Sequence, residues 1–397
     1  MANSVSEKLD KKQFFPKVIH SFPVWLPQTQ TWMYNQVKQL QRLGVEAHVV
    51  CEHTENLDQF SVANIHNLKD EPVLKRALDK WLRKLKIHNH LNYLVEVGRN
   101  IDAKIIHSHF GNIGWHDLGA VQRLKAKHIV TFYGRDVNML PVQSPIWQEI
   151  YSRLFANVDM GLCEGSHMAR CVLELCCGGS KIKVQHLGVD VDNINFKPRQ
   201  WHGGKPLRVL IAASFREKKG IPYAIEALKI VADELPVLLT IIGDAGKDPE
   251  SQQEKEHILE TLERSGLRER VRILGYQSHQ SMLKEAYDHH LFLQPSITAE
   301  DGDTEGGAPV SIIEMLATGM PVVATTHCDI PEVVGPAFSH LLAPERDVVK
   351  LAECIKSLLG EPNSWLSLVQ EGRKRIESEY HHQRQAEHLI ERYNEIL

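Results

Sequence analysis

The sequence lacks the signatures of membrane-spanning, secreted and disulfide-bonded proteins. No apolar run among its 397 residues approaches the roughly 20 residues that a membrane-spanning helix needs. The polar N-terminus has no apolar segment followed by a small-residue cleavage site, which argues against a secretory signal. Its 7 cysteines form no Cys-x-x-Cys pair, so we expect reduced and mostly buried thiols. These absences predict a cytoplasmic protein.

Metal, dinucleotide and nucleic-acid signatures are also missing. The 22 histidines include no His-Glu-x-x-His or similar spacing, so we expect no metal site. No Gly-x-Gly-x-x-Gly follows a predicted strand, which makes a nicotinamide oxidoreductase the weakest enzyme class. Residues 1–200 hold 25 Lys and Arg against 19 Asp and Glu. This small excess, without an aromatic and basic platform, does not predict nucleic-acid binding.

Both halves of the chain alternate apolar strands with helices, and a turn-rich linker at residues 197–206 separates them. Repeated alternation of this kind predicts an α/β fold with two doubly wound parallel sheets, whose ligands lie beyond the carboxyl ends of the strands. Expected strands are at residues 17–22, 45–51, 103–107, 128–132, 158–163 and 181–186, then at 207–213, 237–243, 271–274, 291–293 and 321–325.

Residues 305–323 hold the most informative pattern. An acidic loop follows a predicted strand, and a helix begins around Pro309. Proline suits the first turn of a helix, whose free N–H groups attract anions, and Gly306 and Gly307 let a ligand approach the backbone closely. Beside such a loop, the Glu305 carboxylate can accept hydrogen bonds from sugar hydroxyls. The alternative is a capped helix after a glycine turn.

Two further loops follow strands in the second half. Arg216, Lys218 and Lys219 lie at a strand-to-helix turn, where cations can neutralise the charge that develops on a departing diphosphate. Gly243 ends the next strand and is a candidate for admitting a base or ribose. A solvated basic turn and a plain glycine turn are the respective alternatives.

In the first half, polar residues end two neighbouring strands. If the strand at 103–107 continues, alternation puts His107 and His109 on the same face. His109 is then placed for proton transfer or for holding a hydroxyl group. Asp136, which follows the next strand, and Thr31, which can cap the first helix, are expected on the acceptor side of the cleft.

Taken together and in this order, residues 107–111, 214–220 and 305–323 resemble the retaining glycosyltransferases of family four, which have the GT-B fold. The resemblance covers nearly the whole chain. It implies two Rossmann-like domains facing a central cleft, an acceptor-binding domain at residues 1–200 and a nucleotide-sugar-binding domain at 201–375. It also implies that a C-terminal helix at 376–397 crosses back to the first domain.

The resemblance implies roles for individual residues. Lys219 matches the lysine that binds the donor diphosphate, and Glu314 matches the acid that holds the nucleotide ribose. Glu305 and the amides that follow it match the segment that touches the donor sugar and phosphates, while His109 matches a position near the transferred sugar. The implied donor-binding residues are Arg216, Lys219, Gly243, Gly306, Gly307, Ala308, Pro309 and Glu314, and the implied catalytic residues are His109 and Glu305.

The spacing of the two acids departs from the family pattern. Seven residues usually separate them, whereas eight lie between Glu305 and Glu314. Counting back therefore puts Gly306 in the place of the first acid. Either the loop bulges by one residue and Glu305 still reaches the sugar, or that contact is lost.

Three other positions also depart from the pattern. The family's diphosphate arginine aligns with Ser214, and Arg216 is near enough to substitute for it. Tyr133 stands where the family often has histidine. The glycine-rich phosphate loop after the first strand is missing, because residues 23–31 contain no glycine. These departures are typical of a distinct subfamily.

The implied reaction moves a hexose from a nucleoside diphosphate sugar, in the UDP or GDP form, to an acceptor hydroxyl with retention of anomeric configuration. The acceptor is a glycan, a lipid-linked sugar or a small molecule, and neither a metal nor another cofactor is implied. Two alternatives on the same fold remain open: a non-catalytic nucleotide-sugar-binding protein, and a glycoside phosphorylase or sugar-nucleotide epimerase.

Residues 73–86 suggest a possible contact with a membrane. One helical stripe holds Leu74, Leu78, Trp81, Leu82 and Leu85, and six basic residues and one acid occupy much of the remainder. A helix of this kind can lie on an anionic bilayer. It can equally turn its apolar stripe into the protein core.

Overall fold

The computed structural model describes residues 15–27, 31–58, 60–85, 87–175 and 181–397. Two parallel β-sheets organise these residues, one in each half of the chain. The α/β fold predicted from the alternation is therefore confirmed.

The first half forms a seven-stranded sheet of order β3-β2-β1-β4-β5-β6-β7. The strands are β1 (Lys17–Trp25), β2 (Glu46–Thr54), β3 (Ile65–Asn67), β4 (Ile105–His109), β5 (Lys127–Phe132), β6 (Met160–Cys163) and β7 (Ile182–Val184). The helices are α1 (Thr31–Arg42), α2 (Val73–Lys84), α3 (Asn92–Ile101), α4 (Gly111–Leu124), α5 (Leu140–Gln143), α6 (Ile146–Asn157) and α7 (Ser166–Leu175).

The second half forms a six-stranded sheet of order β10-β9-β8-β11-β12-β13. The strands are β8 (Leu207–Ala212), β9 (Val237–Ile242), β10 (Val271–Ile273), β11 (Leu291–Gln294), β12 (Val322–Thr325) and β13 (Leu342–Ala343). The helices are α8 (Ile221–Ala232), α9 (Pro249–Ser265), α10 (His279–Ala286), α11 (Val310–Thr318), α12 (Ile330–Val334), α13 (Val348–Gly360), α14 (Trp365–Glu379) and α15 (His382–Ile396).

The central strands are buried on both faces, as parallel sheets covered by helices require. Every residue of β4 is fully buried, including both of its histidines. Two edge strands, β3 and β13, were not predicted; they have 3 and 2 residues.

The chain passes between the two halves twice, and the two crossings touch. In the first crossing Val189 donates its N–H to the Tyr380 carbonyl at 2.8 Å, and in the second His382 donates to the Val189 carbonyl at 3.0 Å. Beyond the second crossing, α15 packs into the core of the first half. There Ala386, Leu389, Ile390 and Tyr393 join the apolar cluster that includes Val18 and Val37.

Among the helices of the described residues, none is both long enough and apolar enough to cross a bilayer.

Candidate active site

A buried ion pair lies where the loops after β8 and β11 meet. Lys219 Nζ lies 2.6 Å from Glu305 Oε2, and Ser296 Oγ donates to Glu305 Oε1 at 2.7 Å. Burial alone would raise the pKa of Glu305, but the charges of Lys219 and Lys218, with these hydrogen bonds, hold it below its ordinary value. The structure thus brings the predicted lysine and acid together, with the acid ionised.

The second cation at this site is Lys218 and not Arg216. Lys218 Nζ lies 3.1 Å from Asp303 Oδ1 and donates to the Thr304 carbonyl at 2.7 Å. Arg216 points the other way, toward Asp248 at 3.3 Å, and its side chain is 44% exposed. The expectation that Arg216 supports Lys219 is therefore not met in this structure.

Glycines allow the loop after β11 to approach the first half of the chain. A Cβ on Gly134 would lie 2.7 Å from the Gly306 nitrogen, and Gly306 itself has a φ of +79°. The Gly307 N–H donates to Glu164 Oε2 at 3.1 Å. Residues 306 and 307 therefore sit at the contact between the two halves, as a site in the cleft requires.

The helix after this loop begins at Val310, one residue later than expected. Pro309 is the residue that precedes it, with a buried side chain, and Ala308 is half-buried beside it. Because Pro309 has no side-chain donor or acceptor, it leaves the first N–H groups of α11 uncapped. These N–H groups remain available to an anion.

Glu314 lies on α11, apart from the Lys219–Glu305 pair. Its Oε1 lies 2.6 Å from Nε2 of His279 on α10. Burial would lower the pKa of His279, but the charge of Glu314 and the hydrogen bond to it raise the pKa above its ordinary value. The two predicted acids thus have different basic partners.

Gly243 follows β9 in a conformation that only glycine adopts easily. Its φ is +137°, and a Cβ there would lie 1.8 Å from the Ala213 carbonyl oxygen. The structure explains the glycine by this close approach of two strand ends.

His109 is sealed inside the first half, contrary to the expectation that it faces the cleft. It is fully buried, with Nδ1 2.8 Å from the Tyr133 hydroxyl and Nε2 3.0 Å from His20 Nδ1. Its ring stacks on Phe22 at a centroid distance of 4.0 Å. In this conformation His109 cannot touch a sugar.

His109 belongs to a chain of buried hydrogen bonds. His107 Nε2 lies 2.7 Å from Thr131 Oγ1, and His107 Nδ1 lies 2.9 Å from the Tyr393 hydroxyl. That hydroxyl also lies 3.4 Å from His20 Nε2. Burial lowers the pKa of His20 to about 3, so this imidazole is neutral at physiological pH.

The Asp136 carboxylate accepts hydrogen bonds from backbone groups that follow two neighbouring strands. Its carboxylate accepts the Gly111 N–H at 2.6 Å and the Tyr133 N–H at 2.9 Å, and the residue is 2% exposed. Burial raises the pKa of Asp136 to about 7. It therefore ties the ends of β4 and β5 together and does not face an acceptor in this structure. The Thr31 side chain lies outside the described residues.

Three functional candidates were missed by the sequence analysis. Glu164, directly after β6, binds Gly307 as described, and burial raises its pKa well above the ordinary value. His327 Nε2 accepts the Glu305 N–H at 3.1 Å, while its Nδ1 lies 2.6 Å from Glu345. Only the position of Glu164 immediately after a strand offered a signal in the sequence. The contacts of His327 and Glu345 join segments that follow different strands.

No Asp-x-Asp triplet was expected in a loop, but the chain has one in the loop after β11 and another at residues 190–192. In the triplet at residues 301–303, Asp303 pairs with Lys218, and the Asp301 carboxylate accepts the Asp303 N–H at 2.8 Å. The other triplet, at residues 190–192, lies at the first crossing between the halves.

The chain matches two protein-family models that together span most of its length. Residues 192–375 match the family described as glycosyl transferases group 1, and residues 29–193 match glycosyltransferase family 4. The amylovoran biosynthesis glycosyltransferase AmsK of Erwinia amylovora is 32% identical over 298 residues, 73% of this chain and 70% of the relative. The putative colanic acid biosynthesis glycosyltransferase WcaL of Escherichia coli K12 is 30% identical over 296 residues, 72% and 70% of the two chains.

Solved structures share the fold at low sequence identity. The HepE protein of Anabaena, in complex with UDP and glucose, superposes with a TM-score of 0.77 at 16% identity, over 96% of this chain and 99% of that chain. Sucrose-phosphate synthase of Thermosynechococcus elongatus gives a TM-score of 0.75 at 16% identity, over 95% and 98% of the two chains.

Proposed function

Because the chain belongs to the group 1 glycosyltransferases of family 4, we propose that it transfers a hexose from a UDP- or GDP-sugar to an acceptor hydroxyl, with retention of configuration and without a metal. The glycosyltransferase activity and the nucleotide-sugar donor follow from the family. The sugar, the stereochemistry and the absence of a metal are the proposal.

The observation that carries the proposal is the Lys219–Glu305 pair at the cleft. When the glycosidic bond to the diphosphate breaks, negative charge develops on the leaving oxygens, and fixed cations stabilise that charge. The side chain of Lys219 is mostly buried, at 16% exposure, and the neighbouring side chain of Lys218 is 17% exposed. Two lysines and the uncapped start of α11 supply the positive potential that a metal supplies in other transferases.

Glu305 has a second role in this proposal. Its Oε1 and Oε2 are held by Ser296 and Lys219, which fixes the carboxylate in one orientation. An ionised, oriented carboxylate can accept hydrogen bonds from donor-sugar hydroxyls. His327 Nε2 accepts a hydrogen bond from the Glu305 backbone N–H. Hydrogen bonds therefore hold both the backbone and the carboxylate of this acid.

Contacts between the two halves support the exclusion of water from the reaction. Asn138 donates to Thr304 Oγ1 at 2.6 Å, and the His167 N–H donates to Asp329 Oδ1 at 2.6 Å. Both contacts join the loops on either side of the cleft. A closed cleft limits hydrolysis of the donor in favour of transfer.

We propose that the reaction belongs to the biosynthesis of a polysaccharide. AmsK and WcaL carry the names of amylovoran and colanic acid biosynthesis, and each is at least 30% identical to this chain. A growing glycan, free or lipid-linked, is the acceptor that this kinship supports, and the cytoplasm is the compartment where nucleotide sugars would meet it.

The donor role is tested by replacing Lys219. We expect Lys219→Ala to lower glycosyl transfer at least a hundredfold, because the departing diphosphate loses its nearest buried cation. The measurement is transfer from the UDP- or GDP-sugar that a thermal-shift panel identifies, with the anomer of the product read by NMR and EDTA added in parallel. Lys229→Ala, on the exposed side of α8, is the matched control.

Near-normal turnover by a folded Lys219→Ala protein would reject the phosphate role. An inverted product anomer would reject retention, and loss of transfer in EDTA that Mg²⁺ restores would reject metal independence. Binding of the donor by wild-type protein with neither transfer nor slow hydrolysis would favour the non-catalytic alternative.

We further propose that α2 lies on an anionic membrane surface. The exposure of the stripe supports this proposal over the core-facing alternative: Leu74 is 85% exposed and Leu78 and Trp81 are each 55% exposed, while Leu82 is half-buried. The opposite face meets the protein through Asp79, whose carboxylate accepts the Asn92 N–H at 2.6 Å. An apolar stripe turned to solvent needs another apolar phase to cover it.

The basic residues of α2 favour a bilayer as that phase. Lys80 and Lys84 are exposed along one edge of the stripe, where they can reach anionic headgroups. Leu85 and Ile87 extend the apolar surface past the end of the helix, at 51% and 61% exposure.

Co-sedimentation with liposomes tests this contact. We expect binding to increase with the fraction of anionic lipid, and Leu74→Glu with Leu78→Glu to lower it at least tenfold, because both charges would enter the bilayer interface. Val349→Glu, at a similarly exposed apolar residue of α13, is the control. Binding that ignores anionic lipid content, or that the double variant leaves unchanged, would exclude α2 as the membrane surface.

A further inference from the structure

Four metal-ligating side chains meet where the chain crosses between its halves. Asp190 and Asp192 lie on the first crossing, and His381 and His382 lie on the second, at the start of α15. We call these four residues the crossing cluster. Among the described residues it shares no hydrogen bond or ion pair with Lys219 or Glu305, although the charge of Asp190 contributes to the raised pKa of His279.

Three of the four residues, Asp192, His381 and His382, have ligand atoms that all lie within 4.8 Å of one another, and Asp190 approaches this group at His382. His381 Nε2 lies 3.2 Å from Asp192 Oδ2, and His382 Nε2 lies 3.9 Å from the same oxygen and 3.7 Å from Asp190 Oδ1. Zinc bonds of about 2.0–2.1 Å put the ligand atoms of a tetrahedral site about 3.4 Å apart. A small contraction would close the cluster around an ion.

One atom of the cluster is left without a hydrogen bond. Asp190 Oδ1 is inaccessible to solvent and has no hydrogen-bond partner among the described residues, whereas Asp190 Oδ2 accepts from Asn193 at 2.8 Å. A buried carboxylate oxygen without a partner costs free energy that a cation would recover. This oxygen is also the one that faces His382.

Both histidines have hydrogen-bond partners that a metal ion would displace. Gln39 Nε2 lies 3.2 Å and 3.3 Å from the two ring nitrogens of His382, so this amide would move away when the ion binds. His381 Nδ1 accepts the Gln383 N–H at 3.2 Å, so binding through Nε2 requires the ring proton to move to Nδ1 and this cap to open. A lost cap costs about 1 kcal/mol, which is small beside the affinity of a zinc site.

We propose that the crossing cluster binds a divalent transition-metal ion, with Zn²⁺ as the best match to two imidazoles and two carboxylates. The ion joins the two crossings, so it acts as a structural tie between the halves and takes no part in glycosyl transfer. This ligand set also explains why zinc spacing is absent from the sequence, since the acids and the histidines come from segments about 190 residues apart.

The three histidines inside the first half do not form a comparable site. His20, His107 and His109 also lie close together and are fully buried. Their rings are stacked, however, with centroids of His107 and His109 4.4 Å apart and planes 19° from parallel. Stacked rings direct their lone pairs side by side instead of toward one point, and hydroxyl groups already occupy them.

Metal titration of the full chain tests the proposal. Protein freed of metal by chelation is titrated with ZnCl₂ in a calorimeter and with Co²⁺, whose tetrahedral complexes absorb strongly in the visible. We expect Asp192→Asn and His381→Gln each to weaken Zn²⁺ binding at least tenfold and to abolish the tetrahedral Co²⁺ band. Asp192 is 71% exposed on its side chain, so this variant keeps the fold.

His388→Gln is the matched control, because His388 is an exposed histidine on the same helix. It should bind Zn²⁺ as the wild type does. The same Zn²⁺ affinity in Asp192→Asn and His381→Gln as in wild type would overturn the proposal, because the bound metal would then belong to other histidines. Absence of Zn²⁺ binding by the wild-type protein would overturn it as well.

Discussion

At the scale of single residues, the His279–Glu314 contact shows how charge sets the geometry of the cleft. Glu314 is 4% exposed, and the only basic group that a described hydrogen bond gives it is His279. The imidazole therefore both orients the predicted ribose ligand and compensates its charge.

This contact predicts a pH-dependent stability. Because the pKa of His279 is raised in the folded protein, its contribution is fully present below the unfolded pKa of about 6.5 and is lost as the pH rises through the folded value. We expect His279→Gln to lose more free energy of unfolding relative to wild type at pH 5.5 than at pH 9. Urea denaturation at both pH values measures the difference.

His202→Gln, on the exposed linker, serves as the control for histidine removal. It should show the same small difference from wild type at both pH values. A gap between wild type and His279→Gln that does not change with pH would contradict the assignment of charge to this pair.

The structure brings Lys219 and Glu305 together, as expected, because their placement depends on a local pattern. Lys219 and Glu305 follow strand ends, and that placement is visible in the sequence. The burial of His109 could not be predicted, because it depends on Tyr133 and His20, which come from other segments of the chain. Likewise, the one-residue shift in spacing gave no indication that the Glu305 carboxylate would reach Lys219.

At the scale of elements, glycines set how closely strand ends and loops approach. Gly243 and Gly203 both have positive φ, +137° and +78°, but only Gly243 faces a backbone oxygen. Nothing lies within 4 Å of a Cβ on Gly203. Substitution at Gly203 therefore tests the cost of a positive φ alone, whereas substitution at Gly243 adds the cost of a steric collision.

We expect Gly243→Ala to destabilise the protein by more than about 2 kcal/mol, since strain at φ and a backbone collision add. Gly203→Ala should cost only about 1 kcal/mol, the penalty for φ alone. Chemical denaturation of the two variants measures both values. Equal losses would show that the β9 loop shifts freely to accommodate a side chain.

Elements with a strong period were predictable, and their outward faces were not. The stripe on α2 could be read from the sequence, but whether it faced the core depended on Asp79, which turns the polar side inward. The α11 helix was predicted within one residue because Gly319, with a φ of +82°, ends it.

At the scale of the whole molecule, Tyr393 ties the C-terminal helix to the sheet of the first half. Its hydroxyl lies between His107 Nδ1 and His20 Nε2, and no atom of the residue is exposed. The phenol ring also meets His107 edge-on at 5.9 Å.

Tyr393→Phe should lower the free energy of unfolding by about 1–3 kcal/mol. The change removes the hydroxyl partner of two buried imidazole nitrogens and creates no large cavity. Thermal and urea unfolding measure the loss. Tyr276→Phe, at a 39% exposed tyrosine, is the control and should stay within about 0.5 kcal/mol of wild type. A Tyr393→Phe protein as stable as that control would show that the histidine chain re-forms without the hydroxyl.

The two-sheet plan could be predicted because each sheet repeats a local pattern of strand and helix. The contacts between the halves could not, because they pair residues that lie far apart in sequence, such as Glu164 with Gly307. The same reason hides the crossing cluster, whose histidines and acids have no spacing in common.

The packing of α15 against β1 and α1 bears on the order in which the chain acquires its structure during synthesis. The segment that emerges first from the ribosome lacks Leu389, Ile390 and Tyr393, the side chains that complete its own core. The apolar surface that α15 covers stays exposed to solvent until the second half has been translated. The first half is therefore translated first but completes its core last. We expect chaperones to bind this half during synthesis.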